Sequence, residues 1–331
     1  MKKVLLTGGS GFIGLHLVDM LLEHGYRVHA LYRKSEKLES IKNENLFLFK
    51  GSLESKEDIA RAAIGCDSII HLAGVAKQWA KDPELFNRVN IGGSTNLFDI
   101  ALELGIKRVV NTSTAGTIPP STDKPSDENT PREIDYFFEY EASKAAVEKI
   151  ALDYCEKGLE IITVNPCRVY GPGEIGESNS TVLMMDKYLK GNWKFIPGSG
   201  DQYGSFVFVE DVAKGMILAL EEGKPGQRYI LGGENANYNQ FFAIIDKVAG
   251  VHFKIYHIPL GMIAFVAKIF GFLADTFGMK PLIMPGVSRK LFYNWKASSQ
   301  KAERELGYQY RSLEQGLKET YIWLKNKDKA I

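Results

Sequence analysis

The first fourteen residues constrain the chain most. An apolar run, Val4-Leu5-Leu6-Thr7, meets Gly8-Gly9-Ser10-Gly11, and Phe12-Ile13-Gly14 then opens a stretch with helical periodicity. Gly8 permits a tight turn, Gly11 lets a phosphate approach the backbone, and Gly14 allows close packing of helix on strand. The helix N-terminus adds unpaired N–H donors and positive partial charge, so the turn suits a dinucleotide pyrophosphate. A glycine turn alone is weak evidence; its place directly after a strand and before an amphipathic helix gives it force.

Such a turn belongs to a βαβ unit, and the first half repeats that unit. Apolar runs near 3–7, 27–32, 45–49, 67–73, 107–113 and 160–165 read as strands. Helical stripes lie between them: Phe12, Leu15, Val18 and Leu22 on one, Leu85, Val89, Leu97 and Leu104 on another. After Pro166 the pattern loosens into Gly- and Pro-rich connections, with helices expected near 180–190, 210–221, 237–249 and 312–325. The fold class is α/β: a Rossmann-type, doubly wound parallel sheet with a smaller C-terminal α+β substrate lobe over the sheet's carboxyl edge. The dinucleotide unit is expected over 1–172, with 205–232 returning to it, and the substrate lobe over 173–204 and 233–331.

The end of the second strand bears on which cofactor fits. NAD sites place a carboxylate about 20 residues past the glycines, for the ribose hydroxyls. Here the strand ends Leu31-Tyr32-Arg33-Lys34-Ser35, with no carboxylate before Glu36. Arg33 is a planar, permanently charged donor suited to a 2′-phosphate. This favours NADP(H) over NAD(H).

Tyr140-Glu141-Ala142-Ser143-Lys144 sets a phenol and an ammonium four residues apart, on one face of a helix expected from about 136 to 156. A nearby cation lowers a tyrosine's ordinary pKa by favouring phenolate, which makes the residue a usable acid or base. The strand Arg108 to Thr112 runs into Ser113 and Thr114, hydroxyls at the same carboxyl edge and within reach of a substrate oxygen.

Charge narrows the partners. With 41 Lys and Arg against 40 Asp and Glu, no global field collects nucleic acid or an anionic membrane, and the target is expected to be a small molecule. Cys66, Cys155 and Cys167 have neither metal-ligand nor disulfide-framework spacing, which fits a reducing cytoplasm and argues against a metal site. No signal-peptide core follows Met1-Lys2-Lys3. The lipophilic stretch 258–278 is interrupted by Lys268 and Asp275, so no transmembrane helix is expected.

Taken together, TGGSGFIG, the hydroxyl strand end, YEASK and NPCRVYGPG (Asn165 to Gly173) resemble the extended short-chain dehydrogenase/reductase superfamily, the NAD-dependent epimerase/dehydratase family. Further matches are GSL at Gly51 to Leu53, HLAG at His71 to Gly74, RVNIGGSTNL at Arg88 to Leu97, FVFVEDVAKG at Phe206 to Gly215 and KAERELGY at Lys301 to Tyr308. VHALYR and TSTAGT are similar to the dihydroflavonol reductase and 3β-hydroxysteroid dehydrogenase branch. The resemblance implies Tyr140 as general acid or base, Lys144 on the nicotinamide ribose, and Thr114 as the substrate-binding hydroxyl, with Ser113 the alternative one residue earlier. It also implies cofactor contacts from Gly8, Gly11, Phe12, Ile13, Arg33 and Leu53, from Ala73 and Gly74 at a ribose, and from Pro166 and Val169 near the nicotinamide. Two departures touch specificity: Ser52 replaces the aspartate of GDL, and Gly204 and Phe208 replace a basic residue and a histidine.

The function expected is NADP(H)-dependent hydride transfer between nicotinamide and a carbonyl or secondary alcohol. Trp193, Phe195, Phe241, Phe242, Phe253 and the stretch 259–277 suggest a largely apolar substrate. The alternatives are a nucleotide-sugar epimerase or dehydratase with tightly held NAD, and a non-catalytic dinucleotide sensor. A homodimer is left open, and His71, His252 and His257 are given no role.

Overall fold

The computed structural model describes residues 2–277 and 284–329; Met1, 278–283 and 330–331, which include parts of the expected lobe and the end of the lipophilic stretch, lie outside the described residues. Twelve strands are found among the described residues: β1 Lys3–Thr7, β2 Arg27–Tyr32, β3 Leu46–Lys50, β4 Ser68–His71, β5 Arg108–Thr112, β6 Glu160–Pro166, β7 Arg168–Tyr170, β8 Phe195–Pro197, β9 Tyr203–Phe208, β10 Arg228–Leu231, β11 Glu234–Asn237 and β12 Tyr256–Ile258. Seven form one parallel sheet in the order β10-β6-β5-β4-β1-β2-β3. The strand order reverses beside β1, where open α/β sheets leave a crevice for ligands.

Alternation along the strands sorts the two faces. Val4, Leu6, Ile70, Val110 and Ile162 pack under the helices Phe12–Glu23 and Val209–Glu222. Their neighbours Leu5, Ile69, Val109 and Ile161 pack under Lys56–Ala63, Gly93–Glu103 and Glu139–Glu156. Parallel strands buried on both faces read as continuous apolar runs, which is why β1, β4, β5 and β6 are visible in the sequence. The expected helix over 85–104 is found without a break but contains a π-helical turn at Asn87–Gly92, between Glu84–Phe86 and Gly93–Glu103.

Past Pro166 the chain builds two small sheets, β11-β9-β7 and β12-β8, against the helices Ser180–Leu189, Tyr238–Ala249 and Leu313–Lys329. The aromatics expected to suggest a substrate pocket serve this lobe instead. Phe241 and Phe242 are in its core, with Trp193 and Phe253 packed on it, while Phe195 is exposed. None of them lines the cleft described next, so this motive for an apolar pocket is corrected.

Candidate active site

The glycine turn at the carboxyl end of β1 has little room to be anything else. Gly8 has φ +78°, and a Cβ there would sit 2.6 Å from the Ala73 nitrogen. At Gly14 it would sit 2.1 Å from the Gly8 carbonyl oxygen. At Gly11 it would meet only that same oxygen, at 3.3 Å, so this side of the turn stays open. Gly11 caps the helix Phe12–Glu23 without a side-chain partner, and the first turn carries no acidic residue. The orphan N–H groups of the helix therefore border a cleft of about 570 Å³.

Along the cleft, Tyr32 turns to a hydrogen bond with Glu39. Arg33 is exposed, borders the cleft, and makes no hydrogen bond or ion pair among the described residues. Ser35 is already used as a helix cap, accepting from the Leu38 N–H at 3.1 Å. At the missing aspartate, the Asp58 carboxylate accepts the Ser52 N–H at 3.1 Å. A dinucleotide fits these features: an open glycine cradle, a helix start without an anion, an unpaired guanidinium at the β2 end, and the buried Thr112 hydroxyl, which has no partner and also borders the cleft.

The helix carrying Tyr140 and Lys144 starts at Glu139, three residues later than expected. Phe138 is extended, with φ −141° and ψ 148°, and the Glu141 carboxylate folds back to accept the Phe137 N–H at 3.1 Å. Lys144 is buried and donates to the Thr112 carbonyl at 2.8 Å. Burial brings its pKa down to about 8, against the opposing charge of Glu148. The lowered phenol expected from the Tyr-Lys spacing is not found. Burial pushes Tyr140 up to about 12, and only a hydrogen bond to the Thr114 side chain draws it back. The cost of charging a phenol away from water sets the direction.

The two hydroxyls at the β5 end part company. Thr114 borders the cleft beside Tyr140 and accepts the Gly116 N–H at 3.1 Å. Ser113 also borders the cleft, but its hydroxyl donates to Glu148 in a buried cluster that receives Thr117 and Asn165 as well. Every residue expected at the site, from Gly8, Gly11, Phe12 and Ile13 through Arg33, Leu53, Ala73 and Gly74 to Pro166 and Val169, borders this one cleft with Thr114, Tyr140 and Lys144.

Three further features were not read from the sequence. Asn90, in the π-helical turn, accepts the Val75 N–H at 2.7 Å and donates to Ser143 at 2.9 Å, so it clamps the loop after β4 to the Tyr140 helix. It lies within RVNIGGSTNL, a motif that offered the signal without a role. His71 is fully buried between Thr7 at 2.8 Å and Ser94 at 2.9 Å, and burial holds it neutral with a pKa of about 3. Arg168 borders the cleft with its guanidinium over Phe206 and Tyr238, in the space that the absent side chain of Gly204 leaves.

The model of the NAD dependent epimerase/dehydratase family matches residues 4–232. The chain belongs to that family. It is 30% identical, over 97% of its own length and 94% of the relative's, to a Synechocystis protein assigned as a dihydroflavonol 4-reductase. It is 29% identical, over 85% and 78%, to the decarboxylating sterol-4-alpha-carboxylate 3-dehydrogenase of Mus musculus. The UDP-glucose 4-epimerase of Thermotoga maritima, solved with UDP-glucose, superposes with a TM-score of 0.80 at 25% identity, over 98% of this chain and 99% of that one. This family member is an NAD(P)-dependent oxidoreductase whose relatives act on small molecules.

Proposed function

We propose that the protein is an NADP(H)-dependent reductase or dehydrogenase that moves hydride between nicotinamide and a carbonyl or secondary alcohol of a largely apolar small molecule. The observation that carries this reading is the Tyr140 phenol hydrogen-bonded to the Thr114 side chain, with Lys144 lining the same cleft, one suited to a dinucleotide. A bound nicotinamide supplies or accepts the hydride. In the reducing direction Tyr140 gives its proton to the carbonyl oxygen as negative charge develops there, and Thr114 donates a hydrogen bond to the same oxygen. Lys144 is the residue for the nicotinamide ribose; Gly8, Gly11, Phe12 and Ile13 cradle the pyrophosphate, and Arg33 takes the 2′-phosphate.

The cofactor unit is taken as 1–172 with 205–232, and the substrate lobe as 173–204 with 233–331. Support for an apolar substrate comes from Pro166, Cys167 and Val169 on the cleft wall and from the sterol relative. Arg168 adds one cation to that wall, which suits a substrate with an acidic group at one end. Three unpaired cysteines agree with a cytoplasmic setting. An epimerase with tightly held NAD is disfavoured by the lack of a carboxylate at the β2 end, and a sensor has no need of the Tyr-Lys geometry. The test is oxidation of NADPH and NADH by purified protein across aldehydes, ketosteroids, flavanonols and sugar nucleotides. Turnover of an apolar carbonyl with NADPH is expected; interconversion of a sugar nucleotide without added cofactor would overturn the reading.

A further inference from the structure

The helix Leu260–Phe277 presents its apolar side outward. Met262, Phe265, Ile269 and Phe272 recur at i, i+3, i+7 and i+10, one stripe of a helix. Phe265, Phe272 and Phe277 are 65%, 69% and 66% exposed. The opposite side is the one that packs: Ala267 is fully buried, and Gly271 lies against Pro285 so closely that a Cβ would be 2.8 Å from its ring. The stripe therefore does not stand exposed because the helix is poorly docked. Phe195 and Tyr256, ring beside ring on the paired strands β8 and β12, and Phe292, beyond the short helix Pro285–Lys290, are exposed as well.

Charge distinguishes what covers this surface. Over residues 251–292 the sequence holds five Lys and Arg against one Asp, in a chain whose overall balance is +1, and of the five Lys290 is neutralised by Glu141. Lys254, Lys268 and Arg289 are exposed, Lys268 one turn from both Phe265 and Phe272, Lys254 over the Tyr256 ring and Arg289 over the Phe137 ring. Apolar residues on one side of a helix, aromatic residues at its ends and cations beside them are what an anionic lipid surface takes up. Among the described residues no helix is long and apolar enough to cross a membrane. We infer that this helix lies in the interface of an anionic membrane, with Phe265 and Phe272 among the acyl chains. The short helix behind it packs on Phe137 and Phe138, just before Tyr140, so docking brings the cleft close to the lipid.

Vesicle sedimentation tests this on the full chain, with phosphatidylcholine alone and with an equal part of phosphatidylglycerol. Binding to the anionic vesicles, weakened by salt, is expected. Phe265→Glu with Phe272→Glu should lower the partition coefficient at least about tenfold, since losing the burial of two phenyl groups exceeds the free energy of one decade. Lys254→Glu with Lys268→Glu should remove the preference for anionic lipid. Unchanged NADPH affinity and melting temperature establish that the variants fold. Failure to sediment with either vesicle overturns the inference. So does a change from dimer to monomer in the phenylalanine variant without any lipid binding, which would assign the face to a second copy. Stimulation of turnover by vesicles would additionally rest on the apolar-substrate reading; sedimentation does not.

Discussion

Replacing Glu148 by Gln should cost this protein about 3 kcal/mol while leaving every cofactor-facing residue in place. One Glu148 oxygen accepts from Ser113, from Thr117 at 2.8 Å and from Asn165 at 2.7 Å; the other accepts from Arg228 at 3.0 Å. The Ser113 and Thr117 hydroxyls can turn to accept, but the Asn165 NH₂ and the guanidinium can only donate, so the glutamine NH₂ meets one of these two donors whichever way it turns. Breaking one side of a buried pair costs about 3–5 kcal/mol. The Arg228 side chain is 33% exposed and retains some water, which places the loss at the lower end of that range. At roughly 1.4 °C per kcal/mol for a chain of 331 residues, the melting point should fall by about 4 °C. Urea unfolding followed by circular dichroism gives the free energy directly, at unchanged m. A loss below about 1 kcal/mol would mean that the carboxylate does not organise the cluster, and that Ser113 is free to turn toward the cleft.

Tyr140→Phe should lower kcat by about 10²–10⁴-fold with NADPH binding by fluorescence titration nearly unchanged; near-normal turnover would remove the phenol from the proton path. Arg33→Ala should weaken NADPH about tenfold and leave NADH alone, the low end for a charge-assisted phosphate contact because Arg33 is exposed; equal wild-type affinities for the two cofactors would return the choice to NAD. Since Lys144 titrates at about 8 in the fold against 10.5 otherwise, its ammonium is lost early, and NADPH affinity should decline as pH rises through 8, an inflection missing in Lys144→Met. Over the window from 8 to 10.5 the unfolded chain binds the extra proton, so this residue opposes folding fully below 8 and progressively less above it.

The sheet and the cofactor turn were legible because their signals are local. Two-sided burial makes β1, β4, β5 and β6 apolar runs, Gly8 is required by its positive φ, and Gly14 by backbone contacts within the same turn. The lobe was less legible: β7, β8 and β12 have three residues each, too few to show a period. The π-helical turn does not disturb the order of apolar residues, so Asn90 read as one more helix position. Nothing in the sequence singles out Glu148, because its partners Ser113, Asn165 and Arg228 come from three separate strands or their ends. The direction of the Tyr140 shift was missed for a related reason: a spacing of four residues reports a neighbour but not how much water has been removed.

The edge strand β10 sets the order in which this sheet can be finished. Residues 228–231 leave the ribosome only after the whole excursion through β7, β8 and β9, and until then β6 has no partner on its outer side. That side offers a row of unpaired N–H and C=O groups between Ile161, Ile162 and Val164, which is a template for another chain. A nascent or truncated product ending near 172 would carry the complete glycine turn and the Tyr-Lys helix and still be a candidate for aggregation. Expressing the cofactor unit alone would therefore require grafting the segment through 231 back beside β6.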